Sequence, residues 1–243
     1  MNHNSSLIAK LDTEIEKIPK DCIQNLTVDN LIFTLHEGKL KILLAKYKDG
    51  LAAQQWGLIG HWVRSDENLE EAASRVVKHT TGVDNLYLDH LSAIGDVNRY
   101  PIRRIITIVY YSLVRFDETN LVRGSNTLEC DWFDVYNVPE LVFDHSKILA
   151  SGLTHLKYKV RHEPIGFNLL PEKFTLLKLQ ELYEAILKQP LDKPNFRRKI
   201  LKMNLLIDCQ EKQKNVAHRA ASLYRFDIHV YQKLREFGFT FEC

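Results

Sequence analysis

The apolar residues of this chain change their period near Pro164, and one uniform layer of structure cannot satisfy both halves. Before that point the spacing is mostly every second residue. LTVDNLIFTLH and KLKILLAKYK are two such runs, joined across Glu37-Gly38, a pair suited to a tight hairpin turn. A short run at WGLIGHWV follows. Asn68 to Thr80 then has helical spacing and stops at Gly82, a residue that readily takes the left-handed conformation closing a helix. LYLDHLSAIGDV, RRIITIVYYSLV and CDWFDVY read as further strands, and Ser146 to Tyr158 as a second helix. Strands with one helix between them and one after predict an α+β or α/β sandwich.

Beyond Pro164 the spacing is helical. Thr175 is placed to cap LLKLQELYEAILK, in which Leu176, Leu179, Leu182, Tyr183 and Ile186 make one face. Asp192, with Pro194 in the first turn, caps a second helix, NFRRKILKM. LLID, the polar loop CQEKQKNVAHRAA and SLYRF then form a hairpin, completing the order of a winged helix-turn-helix. At the other end, Leu7, Leu11, Ile15 and Ile18 lie at helical spacing before Pro19. The expected organisation is a helical extension over 1–24, a sandwich domain over 25–158 and a winged helix over 159–243.

Charge sharpens this division. The chain carries 33 Lys and Arg against 31 Asp and Glu, a net +2 that by itself argues against a nucleic-acid partner. Between Lys193 and Arg225, however, nine basic side chains face only Asp208 and Glu211, so this stretch is +7 and everything else sums to −5. A basic cluster on a helix and the hairpin after it is an electrostatic footprint for phosphate. Asn195, Arg198 and Lys199 occupy the N-terminal half of the second helix, where Arg pairs with guanine and Asn with adenine. Lys193 and Arg197 add charge there, and Lys212, Lys214 and Arg219 belong to the wing, which reaches phosphates or the minor groove. Phe196, Ile200 and Met203 take the core-facing side. No run approaches the roughly 18–20 apolar residues of a membrane span, and the first residues lack a signal peptide's apolar core. Cys22, Cys130, Cys209 and Cys243 form no CxxC pair, so reduced thiols in a cytoplasmic protein are expected, with neither a disulfide frame nor a zinc site.

The segment from Gly60 to Val83 resembles the Nudix box, a glycine loop, a Glu, a helix carrying Arg-Glu and Glu-Glu, and a closing glycine. Aligned on Glu67, Arg75, Gly82 and Val83, the loop glycine falls on His61, the Arg-Glu pair becomes Arg75-Val76 and the Glu-Glu pair His79-Thr80. Residues at i, i+3 and i+4 share a helix face, so the family's glutamates form one carboxylate cluster. Magnesium needs such hard oxygen ligands. Here the face offers Val76, His79 and Thr80. The expectation is a Nudix fold that neither binds a metal nor hydrolyses, needs no cofactor, and keeps Glu67 and Arg75 as a brace. The enzyme alternative is a hydrolase with a metal site rebuilt around Glu67.

Glu163-Pro-Ile-Gly-Phe-Asn-Leu-Leu-Pro171, Phe174-Thr, Leu182-Tyr-Glu-Ala-Ile186, Asp192-Lys and Asn195-Phe-Arg, together with Phe143-Asp-His145, resemble the Nudix-related transcriptional regulators over about residues 25–235. That resemblance implies an N-terminal Nudix-like α/β/α sandwich with a C-terminal winged helix-turn-helix. It also implies a dimeric repressor on a palindromic operator, its Nudix domain sensing a small molecule. Some members bind ADP-ribose and control NAD metabolism. The eroded box makes this chain look closer to the L-arabinose-responsive regulators of Bacteroidetes, so a sugar effector controlling sugar-utilisation genes is the first expectation and ADP-ribose the alternative. Effector contacts are expected from Trp56, Asp96, Asn98, Arg99 and Arg104, with Lys46 and His61 behind them, since hydroxyls need planar donors and acceptors and often an aromatic wall. Arg99, Arg103 and Arg104 would suit a pyrophosphate at least as well.

Overall fold

The computed structural model describes residues 20–214, 219–239 and 241. The expected helix through Leu7–Ile18 lies outside these. Strand β1 (Cys22–His36) begins inside the span assigned to the N-terminal extension, so Cys22 to Gln24 belong to the sheet. β2 (Lys39–Tyr47) follows directly, with Glu37 and Gly38 at φ 51 and 71 making the tight turn between them. β3 (Trp56–Gly57), β4 (Ile59–Arg64), β5 (Asp89–Ile94), β6 (Ile106–Leu113) and β7 (Thr127–Asp134) complete a seven-stranded sheet of order β3-β2-β1-β6-β5, in which β4 also pairs with β1 and β7 with β2.

From Val28 to Thr34 every residue of β1 is buried, the mark of a strand covered on both faces. Helix α1 (Leu69–Thr81) packs against β4 and β7, burying Ala72, Ala73, Val76 and Val77. It begins in a capping box, the Asn68 N–H donating to Glu71 Oε2 at 2.8 Å, and ends at Gly82 with φ 74. Helix α2 (His145–His162) brings Gly152 against Leu31 of β1 so closely that a Cβ there would lie 2.2 Å from Leu31 Cδ1.

The chain divides into two compact units, one made of residues up to Phe33, Ile42–Ser112 and Thr119–Gly152, the other of Thr34–Lys41, Leu113–Glu118 and Leu153–Cys243. The division falls within α2, a few residues before the expected boundary, and that helix is longer at both ends than Ser146 to Tyr158.

In the second unit α3 (Leu176–Leu187) is capped by Thr175, whose hydroxyl accepts from Lys178 N, and α4 (Lys193–Lys202) by Asp192, which accepts from Asn195 N. β8 (Leu206–Lys212) and β9 (Ser222–Phe226) pair antiparallel, and Phe174 bridges to Tyr224 of β9. A final helix, α5 (Ile228–Glu236), is capped by Asp227 and was not anticipated from the sequence. Leu179, Leu182, Tyr183, Ile186, Phe196 and Ile200 are buried, the Tyr183 and Phe196 rings 5.3 Å apart, with Phe167 stacked on Phe226 at 4.3 Å. Among the described residues Cys22, Cys130 and Cys209 are free thiols, and no helix is long and apolar enough to cross a membrane.

Candidate functional site

The first unit holds a buried cluster of charge. Asp29 on β1 faces Gly60 on β4 in register, and only glycine fits there, since a Cβ would sit 2.0 Å from Asp29 Oδ1. Arg99 reaches in from the loop before β6. Its Nε and Nη2 donate to the two oxygens of Asp144, both at 2.9 Å, and Nη2 also donates to Asp29 Oδ2 at 3.3 Å. His145 opens α2 beside them. Its Nδ1 accepts from the Leu58 N–H at 3.0 Å, which leaves the proton on Nε2, 3.7 Å from Asp29 Oδ1. Arg99, Asp29 and His145 are each 5% exposed. Burial pushes the imidazole of His145 below its ordinary pKa, against the opposing pull of the two aspartates, so it is neutral at physiological pH. Asp29, Arg99 and His145 line a cavity of about 190 Å³ whose walls also include Tyr47, Trp62, Tyr100 and Phe143.

The expected effector residues are only partly gathered here. His61 and Arg99 line this cavity. Asp96 and Asn98 line a second one of about 440 Å³, which also meets Arg99, Phe143, Asp144 and Lys147. Asp96 is partly spent on its own loop, accepting from the Asn98 N–H at 2.8 Å. Lys46 and Trp56 are placed elsewhere. They are paired across β2 and β3, the ammonium 5.9 Å from the indole centroid, and are held by Glu129 and Phe133 of β7. Arg104 lines neither cavity, because its guanidinium closes its own loop by donating to the Gly95 carbonyl. Arg103 instead lies over the Trp62 ring at 5.1 Å. Asp29, Tyr47, Trp62, Tyr100, Asp144 and His145 were missed as site residues. The one signal for them was the Phe143-Asp-His145 wording, noted without a role.

The degenerate box is braced as expected. Arg75 Nε and Nη2 donate to the two Glu67 oxygens at 2.6 Å, Nη2 also donates to the Trp62 carbonyl, and Glu67 Oε1 accepts from the Arg64 N–H. The hydrogen bonds from Arg75 hold the Glu67 carboxyl below its ordinary value of 4.5. A depressed folded pKa means the brace contributes fully above that value and is lost as pH falls through the lower folded one. Glu67→Gln therefore costs about 1–2 kcal/mol in urea unfolding at pH 7, and the difference from wild type shrinks toward pH 3 (order of magnitude). Over α1, a third cavity of about 120 Å³ is lined by His61, Arg64, Arg75, Val76, His79 and Thr80, with Ser125 to Thr127 opposite. Among the described residues no group of three or more His, Cys, Asp or Glu could hold a metal ion. A face of one imidazole, one valine and one threonine does not fit magnesium.

In the second unit α4 exposes Lys193, Asn195, Arg198 and Lys199, while Arg197 is half-buried and Phe196 and Ile200 are buried. Arg198 Nη2 donates to Asn195 Oδ1 at 2.6 Å, so the two side chains expected to read bases form one polar surface. Met203 is half-buried. Lys212 closes β8, and Lys212, Lys214 and Arg219 are exposed around the hairpin tip, whose residues 215–218 lie outside those described.

Comparison with known proteins places both units. Residues 26–151 match the NUDIX domain and residues 166–226 the NrtR DNA-binding winged helix domain. The ADPR responsive transcriptional repressor NtrR of Acinetobacter baylyi is 32% identical over 85% of this chain and 83% of its own length. Shewanella oneidensis NrtR, crystallised with a 27mer DNA, superposes with a TM-score of 0.71 at 30% identity, covering 83% of this chain and 93% of that one. The NUDIX domain of the same Shewanella protein, in complex with ADP ribose, superposes with a TM-score of 0.51 at 24% identity over 64% of this chain and 99% of that one, a likeness of fold.

Proposed function

The chain belongs to the NrtR family, a Nudix domain followed by a DNA-binding winged helix, and from that membership we propose that it is a transcriptional repressor whose effector is ADP-ribose. The observation that carries this is similarity to an ADPR-responsive repressor across 85% of the chain, sensor and DNA-binding domain together. The Acinetobacter relative is described as ADPR responsive, which turns the reading from the pentose to its alternative. The cavities favour the same choice. An aromatic-walled cavity meets a cationic one at His61, which lines both, and that combination suits a base and a diphosphate better than a small neutral sugar.

The Nudix domain senses and does not cleave, because the α1 face lacks the carboxylates that would hold magnesium against a phosphoanhydride. The protein binds a palindromic operator as a homodimer, and the effector acts by favouring one dimer geometry over another, changing the separation of the two α4 helices. Thermal unfolding tests the effector. ADP-ribose raises the melting temperature in a saturable way by mass action and L-arabinose leaves it unchanged. The reverse order would restore the sugar reading. Incubated with magnesium, ADP-ribose stays intact, and turnover that disappears in Glu67→Gln would make the protein an enzyme.

A further inference from the structure

The face of α1 that carries the metal-binding glutamates in active Nudix enzymes presents Val76, His79 and Thr80 in this chain. Its cavity has no carboxylate on its lining, whereas His61, Arg64, Arg75 and His79 all contribute to it. Arg75 is held rigidly through Nε and Nη2, and its Nη1 makes no hydrogen bond among the described residues. Arg64 is only loosely engaged, its Nε 3.9 Å from Asp21 and its side chain 44% exposed. We propose that this cavity binds the diphosphate of the effector directly and without a metal, Arg64 and Arg75 supplying the charge neutralisation that a carboxylate-held magnesium supplies in the hydrolases and His79 a further hydrogen bond. This assignment rests on the ADP-ribose reading for the ligand's identity, though not for the chemistry of the site.

Three features support it. The Arg75 fork is pre-organised, so presenting Nη1 to a phosphate oxygen costs little further side-chain entropy. Burial is the main cause that lowers the pKa of His61, and Arg75, Arg64 and His79 lower it further against the hydrogen bond with the Trp62 backbone. His61 also lines the aromatic cavity, so a ligand spanning both passes it between base and phosphates.

Inorganic pyrophosphate in EDTA is the direct probe. It raises the melting temperature saturably, competes with ADP-ribose, and does neither in Arg64→Ala/His79→Ala, both positions being at the surface. The same variant weakens ADP-ribose roughly tenfold or more, as loss of charge-assisted phosphate contacts does, while wild-type affinity is equal in EDTA and in magnesium. His79→Glu/Thr80→Glu loses ADP-ribose binding in EDTA and regains part of it in magnesium. ADP-ribose binding that requires magnesium in wild type, or that Arg64→Ala/His79→Ala leaves unchanged, overturns the proposal. Pyrophosphate binding without any ADP-ribose binding would keep the anion site and reject the nucleotide effector.

Discussion

Arg99→Met lowers stability by about 3–5 kcal/mol, the cost of removing one partner from a buried ion cluster and leaving the other charges behind. Asp29 and Asp144 are 5% and 10% exposed, so neither carboxylate can turn to water without opening the fold. Methionine fills most of the arginine stem's volume, and the lost charge dominates the effect. Urea unfolding of wild type and variant measures it. The triple variant Arg99→Met/Asp29→Asn/Asp144→Asn recovers part of the loss, because amides are cheaper to bury than unpaired carboxylates. A loss under 1 kcal/mol for the single variant would mean that the cluster admits solvent. Arg99 also ties the loop before β6 to the first residue ahead of α2 and lines two of the cavities, so the variant also weakens effector binding.

Reversing charge on the exposed side of α4, with Arg198→Glu/Lys199→Glu, abolishes operator binding at moderate salt. Each lost phosphate contact removes about one unit from the slope of log affinity against log salt, and each lost base contact costs about 1–3 kcal/mol of discrimination. The substituted carboxylates add repulsion from the phosphates. Both side chains are exposed and the helix is anchored by buried Phe196 and Ile200, so the variant folds as wild type does. Single substitutions separate the roles. Arg198→Ala relaxes sequence preference, whereas Lys212→Ala weakens specific and non-specific DNA alike. Fluorescence anisotropy on operator and scrambled duplexes over a salt series reads both quantities. Undiminished binding by the double variant would move the interface off α4.

Much of this was legible in the sequence because the relevant signals are local. Glu37-Gly38 for the hairpin, Asn68 and Gly82 for α1, and Thr175 and Asp192 for the winged helix act within a few residues of themselves. The erosion of the box is local too, since helical spacing alone puts Val76, His79 and Thr80 on one face. The buried cluster was not legible. Asp29, Arg99, Asp144 and His145 come from a strand, a loop and a helix start, and they meet only because the β1–β4 register sets Asp29 against Gly60. Trp56 lies outside both cavities for a related reason. A two-residue strand has no period to show which face it presents, and pairing with Lys46 turns the indole toward Phe133. Arg104 carries the right charge, but its own loop consumes it. The choice of effector depended on relatives, since an eroded metal site is equally compatible with a sugar and with a nucleotide.

The central claim, that occupancy of the Nudix cleft by ADP-ribose governs DNA binding through the winged helix, is tested most directly by titrating effector into the preformed complex of the full chain with its own upstream DNA. ADP-ribose, in EDTA as in magnesium, releases the duplex in a saturable way while L-arabinose at the same concentrations leaves it bound. Release by L-arabinose and not by ADP-ribose, or a complex indifferent to both, would contradict it.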